Sequence, residues 1–244
     1  FARLMRLLID PNSAPLRTIP REERDLMIAA RNGWILNYDN LSGLRNWLSD
    51  SFCRLSTGGG FSTRELYSDA EEILFDSQRP LVLNGIDDIA VRGDLRDRSL
   101  ILHLPTIPEE NRRDEKEVFE QFQKACPTIL GALLDSVVVA IKNLPSVKLN
   151  RLPRMADAAK WVTAAELAFD WEPGTFLDVY TKNRNMAVEI GLESDSVAQA
   201  IINHMKECVD WEGTCCELLD SLTKSEEERI TRTKNWPRTP QPLS

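Results

Sequence analysis

Residues 1–105 predict an α/β fold, three layers built on a mainly parallel sheet, and residues 106–244 predict helices alone. Three observations carry that expectation. Short apolar runs alternate with stretches of helical period as far as Leu104, the order that builds parallel sheets. Pro105 and Pro108 then mark a change of texture, after which only helical periodicity is found. The composition is that of a chain with real cores to bury, at 244 residues, 42% hydrophobic and 28% charged.

The elements follow in order. Residues 1–9 set Phe1, Leu4, Met5, Leu8 and Ile9 on one helical stripe, stopped by Asp10 and Pro11. Residues 16–19 form a short strand candidate between prolines. Pro20 opens a helix, REERDLMIAAR, whose first turn carries the acids that the helix dipole favours, and Gly33 ends it. Residues 34–38, WILNY, read as a compact strand running into Asp39 and Asn40. Ser42 is a candidate N-cap for the next helix, with Leu44, Trp47, Leu48, Phe52 and Leu55 as its core stripe. That helix ends at Thr57 and three glycines, Gly58, Gly59 and Gly60. Residues 64–68 and 71–76 suggest two strands around a turn at Asp69 and Ala70, and 80–84 and 99–104 suggest two more buried strands. Helices are expected at 110–124, 127–143, 154–169, 175–190, 195–208 and 213–223, followed by a charged run at 224–232 and the proline-rich NWPRTPQPLS.

Composition excludes several classes. Five cysteines, an odd number with Cys215 and Cys216 adjacent, make no disulfide framework and point to the reducing cytoplasm. Two histidines and no C-x₂-C spacing argue against a metal centre. A net charge of −8 argues against a basic DNA-coating protein, though a ring or groove can still concentrate positive charge locally. The longest apolar run, 137–141, falls far short of the ~20 residues of a membrane span, so no membrane partner is expected.

Five segments could carry chemistry. Asp39 ends an apolar strand, where open α/β sheets bind ligands and where nucleotide hydrolases keep an acid for Mg²⁺; an Asp in an ordinary turn is the plain alternative. Asn84 ends the strand LVLNG, and a side-chain amide there could hold both a phosphate oxygen and a water; Asn-Gly is also a common turn. Arg92, Arg96 and Arg98 precede 99–104, from where an arginine could reach a neighbouring subunit's nucleotide or simply sit in solvent. Arg154 opens a helix in the all-helical region, where the dipole mildly disfavours it. STGGGFSTRELY lacks the Gly-Lys-Ser/Thr of a P-loop, and suits a mobile loop that offers backbone N–H groups and Arg64 to a phosphate chain, or a flexible connection. His103 reads as a core histidine inside a strand and His204 as a polar-face residue. Trp161, Trp171 and Trp211 read as core anchors.

Taken in order, Asp39, the TGG loop with Arg64, Leu66 and Tyr67, Asn84, the Asp97-Arg98 pair and Arg154 resemble one family. The segments LIDPNSAPLR, NLSGLRNWLSD, TGGGF, LNGI and RLPRMAD add to the likeness, which covers about residues 1–166. The family is the AAA+ ATPase module of phage and mobile-element replication proteins, close to superfamily III helicases and primase–helicases. The resemblance implies a P-loop NTPase-like core at 1–105, a helical lid at 106–170, and at 171–244 a helical linker with the start of a winged helix, its third helix opening near Thr239. It implies ATP and Mg²⁺ as cofactors, with Asp39 as the Walker B acid and metal ligand, Asn84 as the sensor-1 residue and Arg154 as sensor 2. Arg98, with Arg96 second, would be the arginine finger. Residues Thr57, Gly58, Gly59, Gly60 and Arg64 would belong to the channel loop that grips single-stranded DNA in a hexameric ring. Two departures stand out. No G-x-x-x-x-G-K-[ST] is present, and Phe1 would follow directly on it, so the phosphate cradle is expected just upstream. Asn40 stands where many such ATPases carry Glu, and an amide can orient water without taking its proton. The implied function is an ATP-driven DNA-translocating motor in replication. The rivals are a non-hydrolysing scaffold or DNA-binding module, and an ATP-switched regulator of transposition type.

Overall fold

The computed structural model describes residues 1–64, 72–75, 77–86, 89–90, 92–208, 210–233 and 236–240. The chain divides into two compact units, Phe1–Arg184 and Asn185–Ser244. In the first, α1 (Ala2–Ile9) and α2 (Glu23–Arg31) lead to β1 (Leu36–Leu41), and α3 (Asn46–Thr57) leads to β2 (Phe61–Arg64), β3 (Glu72–Phe75) and β4 (Leu81–Gly85). β1 and β4 pair in parallel, Leu36 with Leu81 and Tyr38 with Leu83, and an irregularity between Tyr38 and Leu41 then brings Leu41 opposite Gly85. Among the described residues β2 and β3 pair only with each other, as an antiparallel hairpin. The turn expected at Asp69 and Ala70, with Leu66 and Tyr67, lies outside the described residues.

Several elements depart from expectation for identifiable reasons. The strand at 34–38 starts instead at Leu36, because the amides of Trp34 and Ile35 are taken by Asp10 Oδ2, at 2.7 and 2.9 Å. The strand at 16–19 shrinks to one parallel bridge between Arg17 and Tyr38. Ser42 caps nothing, since α3 begins only after Arg45. Residues 99–104 form no strand: the Asn183 side chain takes the Ile101 amide at 3.1 Å and donates to its carbonyl at 2.6 Å, so one side-chain amide satisfies the groups a ladder would use. His103 is therefore exposed rather than in a core. The described parallel sheet has two strands.

The core of this region joins Leu26, Met27 and Ala30 of α2 to Leu36, Tyr38 and Leu41 of β1 and to Leu48, Phe52 and Leu55 of α3. The α3 stripe packs as its spacing predicts, with the Phe52 ring stacked on Tyr38 at 5.3 Å. In α1 the expected apolar stripe is not the buried face: Ala2 and Arg6 are buried, and Phe1 and Ile9 are exposed.

The remaining helices are α4 (Gly93–Arg96), α5 (Glu115–Asn143), α6 (Ala156–Ala165), α7 (Thr175–Ser194), α8 (Ser196–Glu207), α9 (Cys215–Ser225) and α10 (Glu228–Thr231). A break before Pro127 was expected, yet α5 runs through it. The proline removes one internal hydrogen bond, while Asp114 caps the helix by accepting from the amides of Lys116 and Glu117. α5 meets α6 through Ala140, Ala164 and Ala165, small residues that let the backbones approach, and Asn143 Nδ2 donates to the Ala164 carbonyl at 3.1 Å. The buried Glu166 carboxylate accepts from the Gly174 and Phe176 amides at the start of α7. Trp161 and Trp171 are too exposed to be core anchors, at 42% and 40%, and Trp211 is half-buried.

Among the described residues one helical stretch, Glu115–Ser146, is long and apolar enough to cross a membrane by length and composition alone. Its apolar residues are spaced by polar ones, so no long unbroken run betrays it. In the second unit Ala200, Leu222 and Trp236 form the core, with the Trp236 Nε1 donating to Thr223 Oγ1 at 3.3 Å. The helix expected to open near Thr239 is not formed at 238–240, and 241–244 lie outside the described residues.

Candidate functional site

The parallel register of β1 and β4 sets Asp39 beside Asn84, and the Asn84 amide nitrogen donates to Asp39 Oδ1 at 2.5 Å. Asp39 is half-buried and Asn84 exposed, so the pair presents polar groups at the carboxyl ends of the two strands. Local chemistry holds this arrangement in place. Asp39 N donates to the Arg17 carbonyl at 3.2 Å. Gly85 is required because a Cβ there would run into the Leu41 carbonyl oxygen and lie 2.9 Å from Ile89 Cδ1. Asn40, at φ 55°, takes the left-handed turn that Asn tolerates better than most residues, and it is exposed.

α1 is fastened along β1 at both ends. At its start the buried Asn37 Nδ2 donates to the Ala2 carbonyl at 2.6 Å. At its finish Arg6, with its side chain fully buried, stands 3.1 Å from Asp10 Oδ2 while its Nε donates to the Asp10 carbonyl. The Ile35 amide is the main influence holding the Asp10 carboxyl below its ordinary value, with the Trp34 amide and the Arg6 and Arg79 charges adding to it against the opposing effect of burial. Burial lowers the Arg6 guanidinium, partly offset by Asp10. Burial also pushes the Tyr38 phenol up to about 12.

These fastenings bring the first turn of α1 to Asp39 and Asn84. The residues enclose a cavity of about 340 Å³, lined also by Phe1, Ala2, Arg3 and Leu4 of the α1 end, Leu16, and Glu115, Val118 and Phe119 of α5. Arg3 pairs with Glu115 at 3.0 Å, and its guanidinium lies over the Phe119 ring at 4.4 Å from the centroid. No sequence pattern marks Glu115 and Phe119, because more than a hundred residues separate them from Arg3. Arg3 itself carries a readable signal: it sits in a first turn, where the dipole disfavours a cation.

The other expected residues lie apart from this cavity. Arg98 is half-buried and folded back, Nη1 donating to the Asp94 carbonyl at 2.7 Å. Arg96 donates to the Ala90 carbonyl, Arg92 pairs with Asp50 and Asp94, and Asp97 pairs with Arg184. Arg154 is exposed in the turn before α6. Thr57 Oγ1 donates to the Cys53 carbonyl, Gly58 closes α3 at φ 80°, and the Gly59 amide donates to the Arg54 carbonyl, so these glycines serve first as a helix stop. Gly60 leads into β2. Arg64 ends that strand, and its side chain lies outside the described residues. A second cavity, in the Asn185–Ser244 unit, is lined by Asn203, His204, Lys206, Ser225, Glu226 and Glu227. Among the described residues no group of three or more His, Cys, Asp or Glu side chains could hold a metal ion by itself.

The family described as Actinomycete integrative conjugative element replication protein matches residues 2–180. The chain belongs to it. The AICE RepA C-terminal domain matches residues 197–244, within the second compact unit. The protein is therefore a replication protein of a mobile element, and DNA replication is the process it serves. The Asp39–Asn84 pair and all of the cavity lining except Phe1 lie within the matched 2–180 region of this replication protein family. No curated protein and no solved structure matches the chain.

Proposed function

We propose that the cavity at Asp39 and Asn84 receives the phosphates of ATP, and that the protein is an ATP-driven, helicase-like DNA-translocating motor with an AAA+ core. One observation carries the reading: the 2.5 Å hydrogen bond from Asn84 to Asp39 on adjacent parallel strands, opening onto the first turn of α1. An acid and an amide 45 residues apart in sequence have converged on a space with the size of a small ligand site.

The residues suit Mg²⁺–ATP. Among the described residues only one oxygen of Asp39 is engaged, by Asn84, which leaves the other to face a hydrated cation. Bound Mg²⁺ would neutralise charge on the phosphate oxygens. Asn84 then orients a water toward the phosphate without adding negative charge. Arg98, with Arg96 second, acts on the nucleotide of a neighbouring copy in a hexameric ring, for which it must leave the Asp94 carbonyl. Arg154 closes from the helical side, and residues 57–64 engage single-stranded DNA. Asn40 favours slow turnover, since an exposed amide outside the cavity lining offers no base; this supports the ATP-switch reading as the alternative.

The test is ATP hydrolysis by the full-length gene product containing this chain, with and without single-stranded DNA. Hydrolysis stimulated by DNA is expected. Asn84→Ala should lower kcat about a hundredfold, by analogy with the loss of one polar group that acts in the transition state. Arg98→Ala should remove turnover and leave ATP binding in place. Binding with negligible turnover selects the switch, and no binding at all removes both readings.

A further inference from the structure

The contact between α1 and α5 places a charged pair at the mouth of the cavity that no motif announces. Arg3 is held on two sides, by the Glu115 carboxylate at 3.0 Å and by the Phe119 ring at 4.4 Å, and all three side chains line the space that Asp39 and Asn84 enter. We infer that Arg3 is the cavity's anion-binding cation, that Glu115 occupies it in the absence of ligand, and that a polyphosphate displaces Glu115 to bind. This rests on the nucleotide reading of the site and adds to it a contact residue and an internal competitor.

The ion pair is open to water, with side chains 48% and 75% exposed, so it is weak and readily exchanged. A polyphosphate brings several charges and can take the planar guanidinium in two bonds at once, which one carboxylate on a surface cannot match. Glu115 loses little on release, because it is in the first turn of α5, where the helix dipole favours an acid. Phe119 keeps Arg3 aimed throughout, since the ring holds the guanidinium by its face and leaves the N–H edges free. Binding would then loosen the α1–α5 contact, so occupancy of the cavity is transmitted to the longest helix of the fold.

The experiment is calorimetric titration of the full-length gene product with Mg²⁺–ATP and, separately, inorganic triphosphate. It compares wild type with Arg3→Gln, Glu115→Gln and the double variant, all checked for unchanged far-UV circular dichroism. Arg3→Gln should weaken binding about tenfold or more. Glu115→Gln should tighten it about two- to fivefold, which simple loss of structure would not do. The double variant should bind like Arg3→Gln, because Glu115 acts through Arg3. If Glu115→Gln binds no tighter than wild type, or tightens equally when Arg3 is absent, the latch is overturned while the nucleotide site stands. If wild type and every variant fail to bind either ligand, the nucleotide reading falls and the latch with it.

Discussion

Asp10 accepts from the two backbone amides just before β1, those of Trp34 and Ile35, and balances the buried charge of Arg6 at the end of α1. Its folded-state pKa lies below the ordinary value of 3.8, so its contribution to stability is present above that ordinary value, in full from about pH 5, and fades as pH falls through the lowered value. Asp10→Asn leaves Arg6 buried without its counter-charge and should cost about 3 kcal/mol in urea unfolding at neutral pH. Wild type should also lose more stability than this variant between pH 5 and pH 3, and melts at both pH values check it. In the sequence Arg6 and Asp10 show only as an i,i+4 pair next to a proline. Their burial was not legible, because a helix that reads as apolar on one side was expected to bury that side. Asp39 and Asn84 were legible, since an acid and an amide ending apolar runs are local features.

The β1–β4 pair shows how one close approach sets a site. Gly85 faces the Leu41 carbonyl across the register irregularity, and the backbone there has no room for a Cβ. Gly85→Ala should destabilise the chain by about 2–3 kcal/mol, a strain of the overpacking kind. On the proposed nucleotide reading it should also weaken ATP binding more than its loss of stability explains, by moving Asn84 off Asp39. Thermal unfolding and ATP titration of the same sample separate the two effects. The core stripe of α3 was legible because helical spacing leaves one choice of face. The strand at 99–104 was misread because an alternating apolar segment looks the same whether its backbone partner is a neighbouring strand or, as here, the Asn183 side chain. Pro127 misled for a related reason: a proline is a strong local stop, and a long, well-capped helix can absorb one lost bond.

At the scale of the molecule, the two compact units have separate cores and separate family matches. The Asn185–Ser244 core is small, with Trp236 as its largest buried side chain, so Trp236→Ala should destabilise that unit by about 3–5 kcal/mol. Hydrogen exchange should then rise across α8 and α9 while the amides of α3 and β1 keep their protection. A matching rise at α3 would refute the independence of the two cores. The same scale accounts for α5, whose Leu134, Val137, Val138 and Ile141 are exposed. Polar residues interrupt its apolar ones, so its apolar character emerges only once the whole helix is taken together.

What the order of residues dictated was local. Helical period chose most of the helices, apolar runs chose β1 and β4, and residue type marked Asp39 and Asn84 as candidates. Which of those candidates would meet depended on contacts across tens to more than a hundred residues: Asn84 on Asp39, Asn37 on Ala2, Arg3 on Glu115. A pattern of neighbours along a chain carries no distance between strands or between helices. Those distances come from packing, and packing brought two scattered polar residues together and folded Arg98 back onto the Asp94 carbonyl of α4.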